Sequence, residues 1–321
     1  MAGWRAHSIG LCLALALGGC AASPTPSWHH SAGAAHPLAG TIYRVADGAT
    51  VDEAELIAAA RAADFVLIGE RHDNLDHHRL QAYLVEALQS DAGKRRALAF
   101  EMVAADRQLA IVEYLAANPG GAAGLGTAVE WDASGWPAWT LYEPIARAAL
   151  RNGGQIIAAD LDAGQKRAVF DQGPEALRSS FVERTGLDQS FSAPLTADLR
   201  DELGDTHCGQ APPDVVAGMS RVQRARDAMM ADRLAAASGR AGGILIAGNG
   251  HVRTDRGVPW YLARREPGAQ VVTIGLLEVE DGVRRPPPRL PYDYVWFTPR
   301  VDDHDPCVIH EPALQRLRGS G

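Results

Sequence analysis

The chain has 321 residues, 46% of them hydrophobic and 22% charged, a composition that folds around a core rather than staying disordered. Its formal net charge of −8 argues against a nucleic-acid partner, which needs a basic face.

The first residues read as an export signal. Arg5 precedes an apolar run from Ile9 to Leu17, too short to cross a bilayer as a helix. The run ends in Leu17, Gly18, Gly19 and Cys20, which resembles a bacterial lipobox. That resemblance implies a signal peptide over 1–19, lipidation at Cys20 and anchoring to a membrane. Ala21 in place of an aspartate implies the outer membrane, with the protein on its periplasmic face. The Ser/Pro/Ala/Gly-rich segment 20–40 then reads as a flexible tether. With Cys12 and Cys20 assigned to export, Cys208 and Cys307 remain. In an oxidising compartment such a pair reads as one disulfide, against the alternative of two free buried thiols.

From Thr41 the pattern alternates between strands and helices. Thr41 to Arg44 reads as a short strand, and Asp52 to Ala63 as a helix with Asp52 near its start. Phe65 to Ile68 is a strand, followed by a helix from Asn74 to Gln89 capped by Asp73 or Asn74. Ala97 to Glu101 is a strand, and Asp106 to Ala117 a helix stopped by Asn118, Pro119 and Gly120. An aromatic segment with Trp131, Trp136, Trp139 and Tyr142 leads into a helix that ends near Asn152. Gln155 to Asp160 is a strand. Residues 162–240 carry helical spacing and read as an inserted, smaller helical subdomain. Gly243 to Gly248 and Gln270 to Glu278 are strands flanking a helix from Val258 to Arg265, and Tyr292 to Phe297 reads as an edge strand. The fold class that follows is α/β, a mainly parallel sheet with helices on both faces over 41–308, with a C-terminal tail at 309–321.

Parallel strands joined by right-handed crossovers put their C-terminal ends on one rim. Four strands end there in chemistry-bearing groups: Gly69 with Glu70 and His72, Glu101, Asp160, and Gly248 with His251. Two imidazoles and two carboxylates, Glu70, His72, Glu101 and His251, form an N/O set suited to zinc, manganese or cobalt. The same residues serve equally as a histidine–carboxylate general base. His77 points inward beside Leu80 and Leu84, the position of a hydrogen-bonded helix-start histidine. Tyr142 can supply a tyrosinate to ferric haem, with Tyr83 and Tyr114 competing for that role. Arg221, Arg224, Arg226 and Asp227 read as a solvated face or as internal ion pairs.

Several stretches are together similar to the ChaN-like haem-binding lipoproteins of the Tiki/erythromycin-esterase superfamily. They are Ile68 to Asn74 with His77 and His78, Phe100 to Met102, Tyr142 to Pro144, His207 to Gly209, Gln223 with Arg226 and Asp227, Gly248 to Val252 with Gly257 to Pro259, and Asp293 to Thr298. The resemblance implies haem as cofactor, a homodimer holding two stacked haems, tyrosine ligation assisted by a partner histidine, and delivery through a haem-uptake receptor. Tyr142, Tyr83, His77 and His78 are the candidates for holding haem. The wider superfamily implies the alternative of a metal-dependent hydrolase, a peptidase or esterase, at Glu70, His72, Glu101 and His251. A third reading is a non-catalytic envelope scaffold.

Overall fold

The computed structural model describes residues 27–90, 95–239, 241–309 and 311–318. The expected signal peptide and the expected lipidation site at Cys20 lie outside the described residues.

The N-terminal hairpin is β1 (Ile42–Arg44) and β2 (Ala49–Val51), turned at Gly48 with φ +74°. Then come α1 (Glu53–Ala62), β3 (Phe65–Glu70), α2 (Leu75–Gln89) and β4 (Ala97–Ala104). Asp52 caps α1, and Asn74 caps α2 by accepting the Asp76 and His77 N–H groups. Next are α3 (Gln108–Ala117), α4 (Ala122–Ala128), α5 (Trp139–Arg151) and β5 (Ile156–Asp160). The second half holds α6 (Ala163–Gln172), α7 (Ser179–Thr185), α8 (Ala193–Thr206), α9 (Pro213–Ser238), β6 (Gly243–Gly248), α10 (Val258–Arg265), β7 (Val271–Glu278) and β8 (Tyr294–Thr298). Two short helices, α11 (Pro306–Ile309) and α12 (Glu311–Arg318), follow β8.

The sheet runs β2-β1-β8-β7-β3-β6-β4-β5, parallel from β8 to β5. Its period-2 alternation sorts the core into two layers. Val66, Ile68, Leu98, Phe100, Ile244 and Ile246 face α1, α2 and α5. Leu67, Ala99, Leu245 and Ala247 face α9 and α10. All six residues of β3 are buried, as a central parallel strand requires.

Two expectations change. The Tyr292–Phe297 strand is not an edge, because the β1–β2 hairpin pairs antiparallel with β8 on its outer side. Residues 162–240 are helical, but α9 packs along β4, β5 and β6, so its C-terminal half belongs to the sheet's own second layer. From Ser27 onward the chain expected to be a tether lies on the domain. The His29 and His30 N–H groups donate to the Asp76 carboxylate at 2.6 and 2.9 Å, and Ala32 bridges Arg300.

Cys208 and Cys307 form the expected disulfide, with their Cα atoms 5.8 Å apart. It ties the end of α8 to the C-terminal segment.

Candidate functional site

β3 leads into α2 on one face of the sheet, and its neighbour β6 leads into α10 on the other. Such a switch point leaves a crevice at the strands' C-terminal ends. Glycine closes both strands there. A Cβ on Gly69 would come 2.2 Å from Asn249 Oδ1, and one on Gly248 would come 3.1 Å from the His72 ring. The two exits therefore touch because neither glycine carries a side chain.

The four rim groups converge, but as two linked clusters. In the first, Glu70 Oε1 accepts the Tyr142 hydroxyl at 2.8 Å and lies 2.8 Å from His72 Nδ1. Its Oε2 is 3.3 Å from His78 Nε2. Burial works to raise the Glu70 carboxyl, yet the His78 and His72 imidazoles outweigh it and hold it well below the usual carboxylate range. Burial likewise opposes the charged form of His72, and the Glu70 and Glu101 carboxylates overcome this and raise it. The His72 side chain is 34% exposed, and its ring stands 4.6 Å from that of Trp136.

In the second cluster, Arg226 donates to Glu101 at 2.7 Å and to Asp160 at 2.9 Å. Glu101 also accepts the Gly248 N–H at 2.5 Å, and Lys166 completes Asp160 at 2.6 Å. His251 stands between Asp227, 2.6 Å from Nδ1, and Glu101, 3.3 Å from Nε2. Burial disfavours the His251 cation, but these carboxylates prevail and push it up to about 9, so it is an imidazolium. A cleft of about 290 Å³ opens beside both clusters, lined by Trp131, Trp136, Asp160 and Lys166 among others.

This geometry does not support the metal reading of Glu70, His72, Glu101 and His251. Among the described residues no group of three or more His, Cys, Asp or Glu side chains is placed to hold a metal ion. A guanidinium and a peptide N–H already occupy the Glu101 oxygens.

The proposed haem ligands fare differently from one another. Tyr142 is fully buried, and burial, then the Glu70 carboxylate, raises its hydroxyl far from the ionised form that iron needs. His77 accepts the Arg71 N–H at Nδ1 and meets Thr298 Oγ1 at Nε2, and burial pushes it down to about 3. His78 is buried against Tyr142, with ring centroids 4.4 Å apart. These three side chains build the interior and offer iron no open face. Tyr83 is half-buried, donates to Glu53 at 2.8 Å, and is pushed up to about 12 by burial and then by that carboxylate.

Sequence reasoning did not place Arg226, Asp227 and Lys166 in the site. The first two stand between Ala225, Ala228 and Met230 on α9, all buried. Charges embedded in such small apolar neighbours are the signal of internal ion pairs, the second of the two readings given to that run.

No curated protein matches the chain in sequence. Its fold is similar to that of ChaN of Campylobacter jejuni, solved with cofacially bound haem, at 21% identity and a TM-score of 0.64 over 79% of this chain and 95% of that one. An erythromycin esterase, EreC, in its open conformation aligns at 13% identity and a TM-score of 0.41 over 83% of each chain. The type III effector HopBA1 aligns at 17% identity and a TM-score of 0.41 over 76% of this chain and 91% of that one. The family model described as haem-binding uptake, Tiki superfamily, ChaN matches residues 56–262, well over half of the chain, and the chain belongs to that family.

Proposed function

We propose that this chain is a haem-binding lipoprotein of haem or iron uptake, anchored through Cys20 at the periplasmic face of the outer membrane, that binds haem between two copies of itself and hands it to an uptake receptor. Family membership over 56–262 carries the reading. We place the haem on α3, whose uncovered face carries Leu109 and Val112 beside Glu113. Leu109 is 65% and Val112 55% exposed on that helix. Of the seven tyrosines, Tyr83, Tyr142, Tyr261 and Tyr292 hydrogen-bond through their hydroxyls, and Tyr294 is buried beside Arg44. Tyr43 and Tyr114 keep hydroxyls with no hydrogen bond among the described residues, and Tyr114 belongs to α3, with its ring resting against Gly124 of α4. Bound haem would supply iron to be carried; the chain would supply the exposed Leu109 and Val112, the Tyr114 oxygen and a second copy that shields the opposite side. Haemin added to the mature protein is expected to give a saturable Soret band and a dimer in sedimentation. Tyr114→Phe is expected to lose the band's ligation signature and Tyr142→Phe to retain it. An unchanged spectrum at stoichiometric haemin sinks the proposal.

A second reading is favoured by one observation, the Glu70–His72 pair. Glu70 fixes His72 through Nδ1 while a third of the imidazole stays open toward Trp136, the arrangement of an oriented general base. It would activate water for ester or peptide hydrolysis without a metal. Turnover of an ester panel that disappears in His72→Ala would support it, and a panel untouched by the native protein would remove it.

A further inference from the structure

We propose that the cavity between α6, α8 and α9 is a binding site for an amphipathic organic acid, a carboxylate carried on an apolar body. Its volume, about 490 Å³, falls within the range of small-molecule sites. Phe170, Leu203, Met219 and Val222 give it apolar walls. Every charged residue of the lining is basic: Lys166, Arg167 and Arg226, in a chain whose net charge is −8. The acids that pair with these cations, Asp160, Glu101 and Asp171, stand outside the lining. The lining thus presents basic N–H donors and no carboxylate, which favours an anion.

The walls are built for this shape. Gly218 on α9 lets the Phe170 ring lie against the helix, since a Cβ there would come 2.5 Å from the ring. A fuller residue at 218 would push that ring into the space. At the outer wall, His207 Nδ1 lies 2.7 Å from the Leu203 carbonyl, and the next residue, Cys208, is bridged to Cys307. The disulfide holds this wall in place. Methionine at 219 adds a polarisable surface that adapts to a flexible chain.

The donors left for a ligand identify its headgroup. Arg226 is already committed to Glu101 and Asp160. Lys166 has three N–H donors and one carboxylate partner, Asp160. Arg167 is 75% exposed and pairs with Asp171, a surface ion pair weak enough to be exchanged for a ligand carboxylate at the mouth. A carboxylate would take charge-assisted hydrogen bonds from these two, with its apolar body on Phe170 and Val222. The inner end adjoins the rim, because Gln223 also lies 3.2 Å from His251 Nδ1.

Isothermal titration of the full mature protein with decanoate, decan-1-ol and decyltrimethylammonium tests this. Decanoate is expected to bind one to one, at least tenfold tighter than either of the others. Val222→Trp, which fills the cavity, is expected to weaken decanoate at least tenfold. Arg167→Glu, at an exposed position that leaves folding intact, should do the same. Haemin binding at α3 is expected to be unchanged in both variants, so the two sites are read separately. Absence of saturable decanoate heat, equal binding of the three amphiphiles, or wild-type affinity in Arg167→Glu would each overturn the proposal.

Discussion

His72 and His251 occupy equivalent places. Each is the fourth residue of a Gly-x-x-His stretch that closes a parallel strand, and each touches a buried glutamate. Around His251 every direction is filled: Asp227 behind it, Glu101 and Arg226 in front, Gln223 at its side, and 5% of the side chain left to solvent. Around His72 only Nδ1 is engaged, and 34% of the side chain is open. One sequence pattern therefore yields a buried ion pair at one end of the rim and an accessible imidazole at the other. The element that makes the difference is α9, which lays Arg226 and Asp227 over the end of β6 and stops short of β3.

The largest test of that contrast is to remove the charge that locks the second cluster. Arg226→Ala leaves Glu101 and Asp160 buried with one cation fewer, and breaking such a network costs about 3–5 kcal/mol. Chemical denaturation should show this loss in full. A loss no larger than that of an exposed charge would mean that water already reaches the cluster.

The next test is pH. His251 is raised in the folded state, so its contribution is fully present below about 6.5 and is lost as pH rises through about 9. His77 is depressed, so its contribution is present above about 6.5 and is lost as pH falls toward about 3. A tenfold difference in proton affinity between the folded and unfolded chain is worth about 1.4 kcal/mol, so each histidine contributes on the order of a few kcal/mol at the extreme. Unfolding free energy measured against pH should show both limbs. His251→Asn should flatten the alkaline limb alone, and His77→Gln the part of the acid limb above the carboxylate range.

How much of this was legible in the chain follows from physical range. Apolar runs closing in glycine or an acid, such as Phe65 to Glu70 and Gly243 to Gly248, state both the strand and its functional end, because burial and turning are local demands. The position of β8 was not legible, since its outer neighbour is a three-residue strand whose pairing is set by a distant turn at Gly48. Nor was the face of α9: alanines surround that helix, so periodicity does not say which side meets the sheet. Arg226 and Asp227 were visible as charges and invisible as partners of Glu101 and His251, which lie 125 and 24 residues away in sequence. Tyr142 misled for the same reason: it closes the segment that carries Trp131, Trp136 and Trp139, while its hydroxyl is claimed by Glu70, 72 residues earlier.

The smallest expected effect sharpens the comparison most. His72→Ala removes one hydrogen-bond partner of Glu70 but leaves the Tyr142 hydroxyl at 2.8 Å and His78 at 3.3 Å. Because the imidazole is partly solvated, its loss should cost about 1.5–3 kcal/mol, the net value of a hydrogen bond to a charged group. His251→Ala strips the buried Asp227 of its imidazole partner and should cost more, about 3–5 kcal/mol. Parallel denaturation curves of the two alanine variants read this ratio directly. Equal losses would mean that His72 is as structural as His251, and the general-base reading of the Glu70–His72 pair would then have no group free to carry it.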